Sequence, residues 1–103
     1  MKEAHELLEK RDYPQASEKL WGAAAEIVKA VAAKRGKALG THRSIGEFLD
    51  ILDKEHPEWK LHDAFAHANS LHINFYEDHL TPNAVEKGAE AIKELIAKLS
   101  GLL

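Results

Sequence analysis

The stretch from Tyr13 to Arg35, YPQASEKLWGAAAEIVKAVAAKR, constrains the fold more than any other part of the chain. Wound as a helix, it places Ala16, Leu20, Ala23, Ala24, Ile27 and Val31 on one stripe, and Trp21, Ala25, Val28 and Ala32 carry the apolar surface further round. Only Glu18, Gly22, Glu26 and Lys29 are left as a narrow solvated strip. A helix apolar over most of its circumference must be covered on several sides, so this one is predicted to be the central member of a helical bundle. Its ends carry matching punctuation: Asp12 as N-cap, Pro14 in the first turn, and Gly36 suited to the left-handed position past the last turn.

The remaining elements are helical too, because no strand-like alternation competes with the helical periodicity. A first helix over about Lys2 to Lys10 offers Ala4, Leu7 and Leu8 on one face. After GKALGTHR, Ser44 and Glu47 have capping-box spacing and open a third helix buried through Ile45, Phe48, Leu49 and Leu52. Pro57 breaks it, since a proline disfavours helical geometry in the residue before it. A fourth helix is expected over about Glu58 to Asp78. Thr81 and Pro82 start a fifth, in which Val85, Ala89, Ile92, Leu95, Ile96 and Leu99 recur with helical spacing until Gly101. The chain of 103 residues therefore reads as one all-α domain over residues 1–103, an up-and-down bundle of about five helices.

Several function classes are disfavoured at this level. The chain has no cysteine, which removes disulfides, thiolate nucleophiles and thiolate metal sites and suits a reducing compartment. With a formal net charge of −3 and scattered Lys and Arg, there is no electrostatic footprint for duplex DNA. No run approaches the roughly 20 apolar residues of a membrane span, and MKEAHELLEKRDYP is not a signal peptide, so a cytoplasmic chain is expected. Glycine-rich phosphate loops and nucleophile elbows are absent, and the carboxylate pairs Glu47/Asp50 and Glu90/Glu94 read as solvated helix faces. No cofactor is expected.

The chemistry-bearing segment is LHDAFAHANSLHINFYEDHL, Leu61 to Leu80, which holds four of the seven histidines. On a helix, Leu61, Ala64, Phe65, Ala68, Leu71, His72, Phe75 and His79 share a broad inward arc, while Asn69 and Tyr76 run along its edge with His62. His72 points inward either as a hydrogen-bonded core imidazole or as a proton-transfer group, and the seam of Asn69, His72 and Tyr76 could line a ligand pocket. No metal site is assigned. His72 and His79 are two turns apart, His67 points away from His72, and no His-Glu-x-x-His occurs. His5, His42, His56 and His62 read mostly as surface residues.

Two segments carry a family resemblance: DYPQASEKLWGAAAEIVKAVAAKRG and, after a loop with TH and a leucine-rich helix, LHINFYED. They resemble the archaeal PaREP family, grouped with the HEPN-like helical bundles. The resemblance implies a homodimer, a nucleotidyltransferase-like partner protein, and nucleotide or RNA as ligand. Active ribonucleases of that superfamily carry an Arg, four to six residues, then a His. His72 matches the His position, but the Arg position falls on His67, Ala66 or Phe65, none of which is Arg. Arg35 and His42 have the literal spacing, but across Gly36 and Gly40. The expected function is therefore a non-catalytic HEPN-like module that binds a partner protein or nucleotide/RNA, using the apolar surfaces of the second and fifth helices for the partner. The alternative is a divergent, metal-independent ribonuclease with His72 as acid or base and Lys60, Arg43 or His67 in place of the missing Arg.

Overall fold

In a computed structural model, which describes residues 1–103, five α-helices are arranged as an up-and-down bundle without strands. They are α1 (Lys2–Glu9), α2 (Tyr13–Lys34), α3 (His42–Glu55), α4 (Leu61–Glu77) and α5 (Pro82–Ser100), with a single 3₁₀ turn, Pro57–Trp59, between α3 and α4. The predicted all-α architecture is the one observed. α2 touches every other α-helix and buries Ala16, Ser17, Leu20, Ala24, Val28, Val31 and Ala32. At about 1.5 Å per residue it sets most of the molecule's 38 Å long axis.

The apolar stripes expected to receive a partner are used inside the chain. Trp21, Ala25 and Ile27 of α2 and Ile96 of α5 are half-buried against a core of 18 buried residues. Along α5, Val85, Ala89, Ile92, Leu95 and Leu99 are fully enclosed, because α5 packs on both α2 and α4. Large apolar side chains stay exposed elsewhere, at Ile51 on α3, Ile73 and Tyr76 on α4, and at Met1 and Leu103.

Helix ends decide how the bundle turns. Gly36 adopts φ +76°, and the N–H groups of Gly36 and Lys37 donate to the carbonyls of Ala33 and Ala32, the paired bonds that close a helix with a left-handed residue. α3 starts one turn earlier than expected. Its cap is Thr41, whose hydroxyl accepts from the Ser44 N–H while Ser44 Oγ accepts from the Thr41 N–H, both at 3.0 Å. Glu47 instead lies 3.9 Å from Arg43, and His42 becomes the first helical residue. α4 starts later than expected, because Lys60 takes φ +52° after the 3₁₀ turn and Asp53 Oδ1 accepts from the Leu61 N–H at 3.2 Å. It also ends before His79. Asp78 at φ +46° turns the chain away, so His79 is exposed outside the helix and not on its inward arc. Arg11, at φ +59°, makes the corresponding turn between α1 and α2.

Two polar contacts brace these turns. Asn74 is wholly buried: its Nδ2 donates to Ser17 Oγ of α2 at 3.0 Å, and its Oδ1 accepts from the Leu80 N–H at 2.7 Å. One side chain thus anchors the end of α4 and aims the chain into α5. At the opposite junction Arg35, the C-cap of α2, donates through both terminal nitrogens to Glu55 at the end of α3, at 2.8 and 2.7 Å. Its guanidinium also lies 5.7 Å from the centre of the Phe48 ring. The hydrogen bond from Arg35 holds the Glu55 carboxyl below its ordinary 4.5.

Asn74→Ala should lower the unfolding free energy by about 1–3 kcal/mol, because the Ser17 hydroxyl and the Leu80 N–H lose their buried partner; urea unfolding measures this, and an unchanged midpoint would refute the anchoring role. The Arg35–Glu55 pair stabilises the fold above the ordinary carboxyl range, and that contribution fades as pH falls through the lowered folded-state value. Wild type and Glu55→Gln should therefore differ in melting temperature at about pH 6, by a small amount for so exposed a pair, and converge by about pH 3. A gap that widens in acid would contradict this assignment.

Candidate functional site

Where α3 and α4 meet the edge of α2, five rings come together. His42 of α3 stacks on Trp21 of α2, centroids 4.4 Å apart and planes within 9°. His72 of α4 packs 4.8 Å from Trp21 and 5.5 Å from His42. Tyr76 meets His72 edge-on at 5.7 Å, and Phe65 leans on Trp21 and His42 at 6.4 and 5.8 Å. The Asn69 amide joins this cluster by a hydrogen bond between its Oδ1 and His42 Nε2.

Local rules place each member. The Thr41 cap puts His42 in the first turn of α3, and Phe65, Asn69, His72 and Tyr76 follow at three- and four-residue steps along α4. α3 can lie this close because Gly46 has no side chain. A Cβ there would sit 3.0 Å from Phe65 Cε2.

An amide oxygen only accepts, so its bond to His42 requires the hydrogen on Nε2 and leaves Nδ1 as that ring's free position. His72 is oriented differently. Its Nδ1 is buried without a hydrogen bond, 3.8 Å from Glu18 Oε1, and Nε2 is the nitrogen that reaches solvent. By spacing Glu18 belongs to the solvated strip of α2, yet its side chain, facing His72, is only 31% exposed. A carboxylate facing Nδ1 favours a hydrogen there and keeps Nε2 as the acceptor.

The expected seam is thus partly reproduced. Asn69 and His72 share the cluster, while Tyr76 flanks His72 from outside, 72% exposed, and does not line an inward pocket. His62 is exposed. The candidate substitutes for the missing Arg do not converge on His72: Lys60 sits at the far end of α4, Arg43 is 88% exposed beside Glu47, and His67 lines hollows on another side of α4. Arg35, the literal motif partner of His42, is held by Glu55. The cation–ring contacts of Arg35 and Lys37 are made to Phe48, not to any ring of the cluster. None of the four main surface hollows is lined by His42, Asn69, His72 or Tyr76. No three His, Cys, Asp or Glu side chains are grouped to hold a metal ion.

From sequence, Glu18 and Trp21 read only as helix-face residues of α2, and His42 only as a surface residue with motif spacing to Arg35. The signal was present for His42, since Thr41 and Ser44 are separated by three and can cap reciprocally, which places the intervening His42 on a helix. Glu18 and Trp21 lie three apart on α2, one turn, but their partners come from residues 42 to 76 and depend on tertiary packing.

Gly46→Ala should push Phe65 outward and weaken the His42–Asn69 bond. The clash should outweigh the gain in helix propensity, for a net loss of about 1 kcal/mol or more. Urea unfolding, with Trp21 emission followed in a Trp59→Phe background, measures both effects; a more stable variant would show that close approach is not what Gly46 provides.

No curated protein and no solved structure matches the chain. The model of the archaeal PaREP1/PaREP8 family does match, over residues 1–96, a span that includes every member of the ring cluster and the residues beneath it. The first four helices and the residues that build the cluster all lie inside that match, and the chain belongs to the archaeal PaREP1/PaREP8 family.

Proposed function

We propose that this protein is a non-catalytic binding module that presents the Trp21–His42–His72–Tyr76 surface to a partner protein. The observation that carries this reading is the form of the cluster: an aromatic and imidazole platform with an exposed Tyr76, a half-buried carboxylate beneath it, no Lys or Arg over its rings, and no hollow lined by His42, Asn69, His72 or Tyr76. Enzymes and small-ligand sites enclose what they bind. Protein interfaces instead favour Trp and Tyr on surfaces of low relief, with charged groups depleted at the centre. The absence of a contacting cation weighs against phosphate as the principal ligand, and so against nucleotide or RNA. A nucleotidyltransferase-like protein, the partner implied by the HEPN resemblance, is compatible with this platform.

The pair of imidazoles favours a second reading, divergent RNA cleavage. Nε2 of His72, backed by Glu18, would accept the proton of a ribose 2′-hydroxyl as that oxygen attacks the adjacent phosphorus. Protonated His42 would give its proton to the departing 5′-oxygen, leaving a 2′,3′-cyclic phosphate. This chemistry lacks a fixed cation for the developing phosphorane charge.

Purified protein incubated with a mixed RNA panel in chelator, alongside His72→Ala and His42→Ala, separates the two readings. The binding module predicts no cleavage above background, together with a protein captured from archaeal cell extract by wild type but not by Tyr76→Ala or His42→Ala. Cleavage that both histidine variants abolish would establish the second reading in its place. Tyr76→Ala should change stability by no more than about 0.5 kcal/mol, so loss of capture would not reflect unfolding.

A further inference from the structure

The charge and the free imidazole nitrogens of the ring cluster share one character. His42 gives its Nε2 hydrogen to Asn69, so its free nitrogen, Nδ1, is an acceptor. His72, with its hydrogen directed to Nδ1 by Glu18, turns Nε2 to solvent as a second acceptor. Glu18 adds a carboxylate whose one ion-pair contact in the chain is that imidazole, at 3.8 Å. The ring faces carry the negative side of the aromatic quadrupole, and both cation–ring contacts of the chain are made elsewhere, to Phe48. Trp21 Nε1, Asn69 Nδ2 and the Tyr76 hydroxyl can donate, but they are neutral and do not offset the carboxylate. The cations next in sequence are engaged: Lys19 meets Glu3 at 3.0 Å and Arg43 lies 3.9 Å from Glu47.

Gly22 opens a way to this carboxylate. It lies one turn beyond Glu18 on the same strip of α2. Glycine inside a helix is destabilising relative to alanine, and no neighbour requires it here, since a Cβ would meet nothing within 4 Å. Its effect is on the outer surface. With Glu18, Lys19, Ala23 and Glu26 it forms the α2 side of an open hollow of about 480 Å³, closed on the other side by Met1 to Ala4. A helical side chain leans over the turn before it, so a larger residue at position 22 would cover Glu18.

We infer that the edge of the platform at Glu18 and Gly22 receives an arginine side chain of the partner protein, its guanidinium against the Glu18 carboxylate and its plane on the aromatic faces. This rests on the binding-module reading and names the chemistry of the partner. A guanidinium has five donors and no acceptor, matches a carboxylate with two parallel bonds, and stacks on aromatic rings. A lysine ammonium meets the charge but has no plane to stack. A phosphate brings like charge to Glu18 and acceptors to acceptors.

The test uses N-acetylarginine methylamide as probe, with its lysine and citrulline counterparts, at about pH 8, where an ordinary imidazole is neutral. One side chain binds weakly, so the titration runs to about 100 mM while nuclear magnetic resonance follows the Trp21, His42 and Tyr76 ring signals. Arginine should give saturable shifts, lysine binding at least about 3-fold weaker, and citrulline none. Glu18→Gln should remove saturation. Gly22→Leu should raise the melting temperature through helix propensity and still block the probe, which separates occlusion from unfolding. Absence of saturable arginine shifts, equal binding of citrulline, or undiminished binding to either variant would overturn the inference. Partner capture that depends on Tyr76 without any arginine response would remove the guanidinium and leave the platform. RNA cleavage lost in both histidine variants would remove the platform reading and this inference with it.

Discussion

The bundle depends on the burial of α2. This helix of 22 residues is apolar over most of its circumference, and the surface can be removed from water only by neighbours on several sides. α1, α3, α4 and α5 supply that cover. The ring cluster is a by-product of the same constraint. Trp21 lies at the margin of the apolar circumference, where α3 and α4 close over it without sealing it, and a half-buried indole at such a seam attracts flat polar rings.

That origin explains the unusual mixture of groups. A core position would have selected aliphatic side chains, and an open surface would have left Glu18 and His72 fully solvated. At the seam Glu18 and His72 are partly withdrawn from water, while His42 and Tyr76 stay exposed. His42 makes a hydrogen bond to Asn69, whereas His72 keeps one nitrogen unpartnered near a carboxylate and the other facing solvent. A group with incomplete internal satisfaction is a natural point of contact for something outside the chain.

The fold was legible because helical periodicity and punctuation are local. Asp12, Pro14, Gly36, Thr81 and Pro82 act within a turn or two of themselves, and each is found in the expected role. The misplacements arose where two local signals compete. Thr41/Ser44 and Ser44/Glu47 both have capping spacing, and the choice between them moves His42 from a loop onto a helix. Asn74, polar and wholly buried, escaped notice because its partners lie 57 residues back and six ahead. The site was half legible for the same reason: Asn69, His72 and Tyr76 share one helix and their spacing reveals them, whereas Glu18, Trp21 and His42 join only through packing. Apolar stripes look alike whether they face a core or a second molecule, so spacing alone could not show that those of α2 and α5 are largely used inside the chain.

The corners of the bundle are turned by Arg11, Lys60 and Asp78, all in left-handed backbone conformations that glycine would adopt more easily. Each residue carries native-state strain of about 1 kcal/mol or more. Glycine would relieve that strain but widen the range of conformations open to the unfolded chain at three of its hinges. By keeping side chains there, the sequence accepts bent corners in exchange for a narrower disordered ensemble. Compactness in this short helical chain is thus favoured partly by how little freedom its joints have when nothing else is formed.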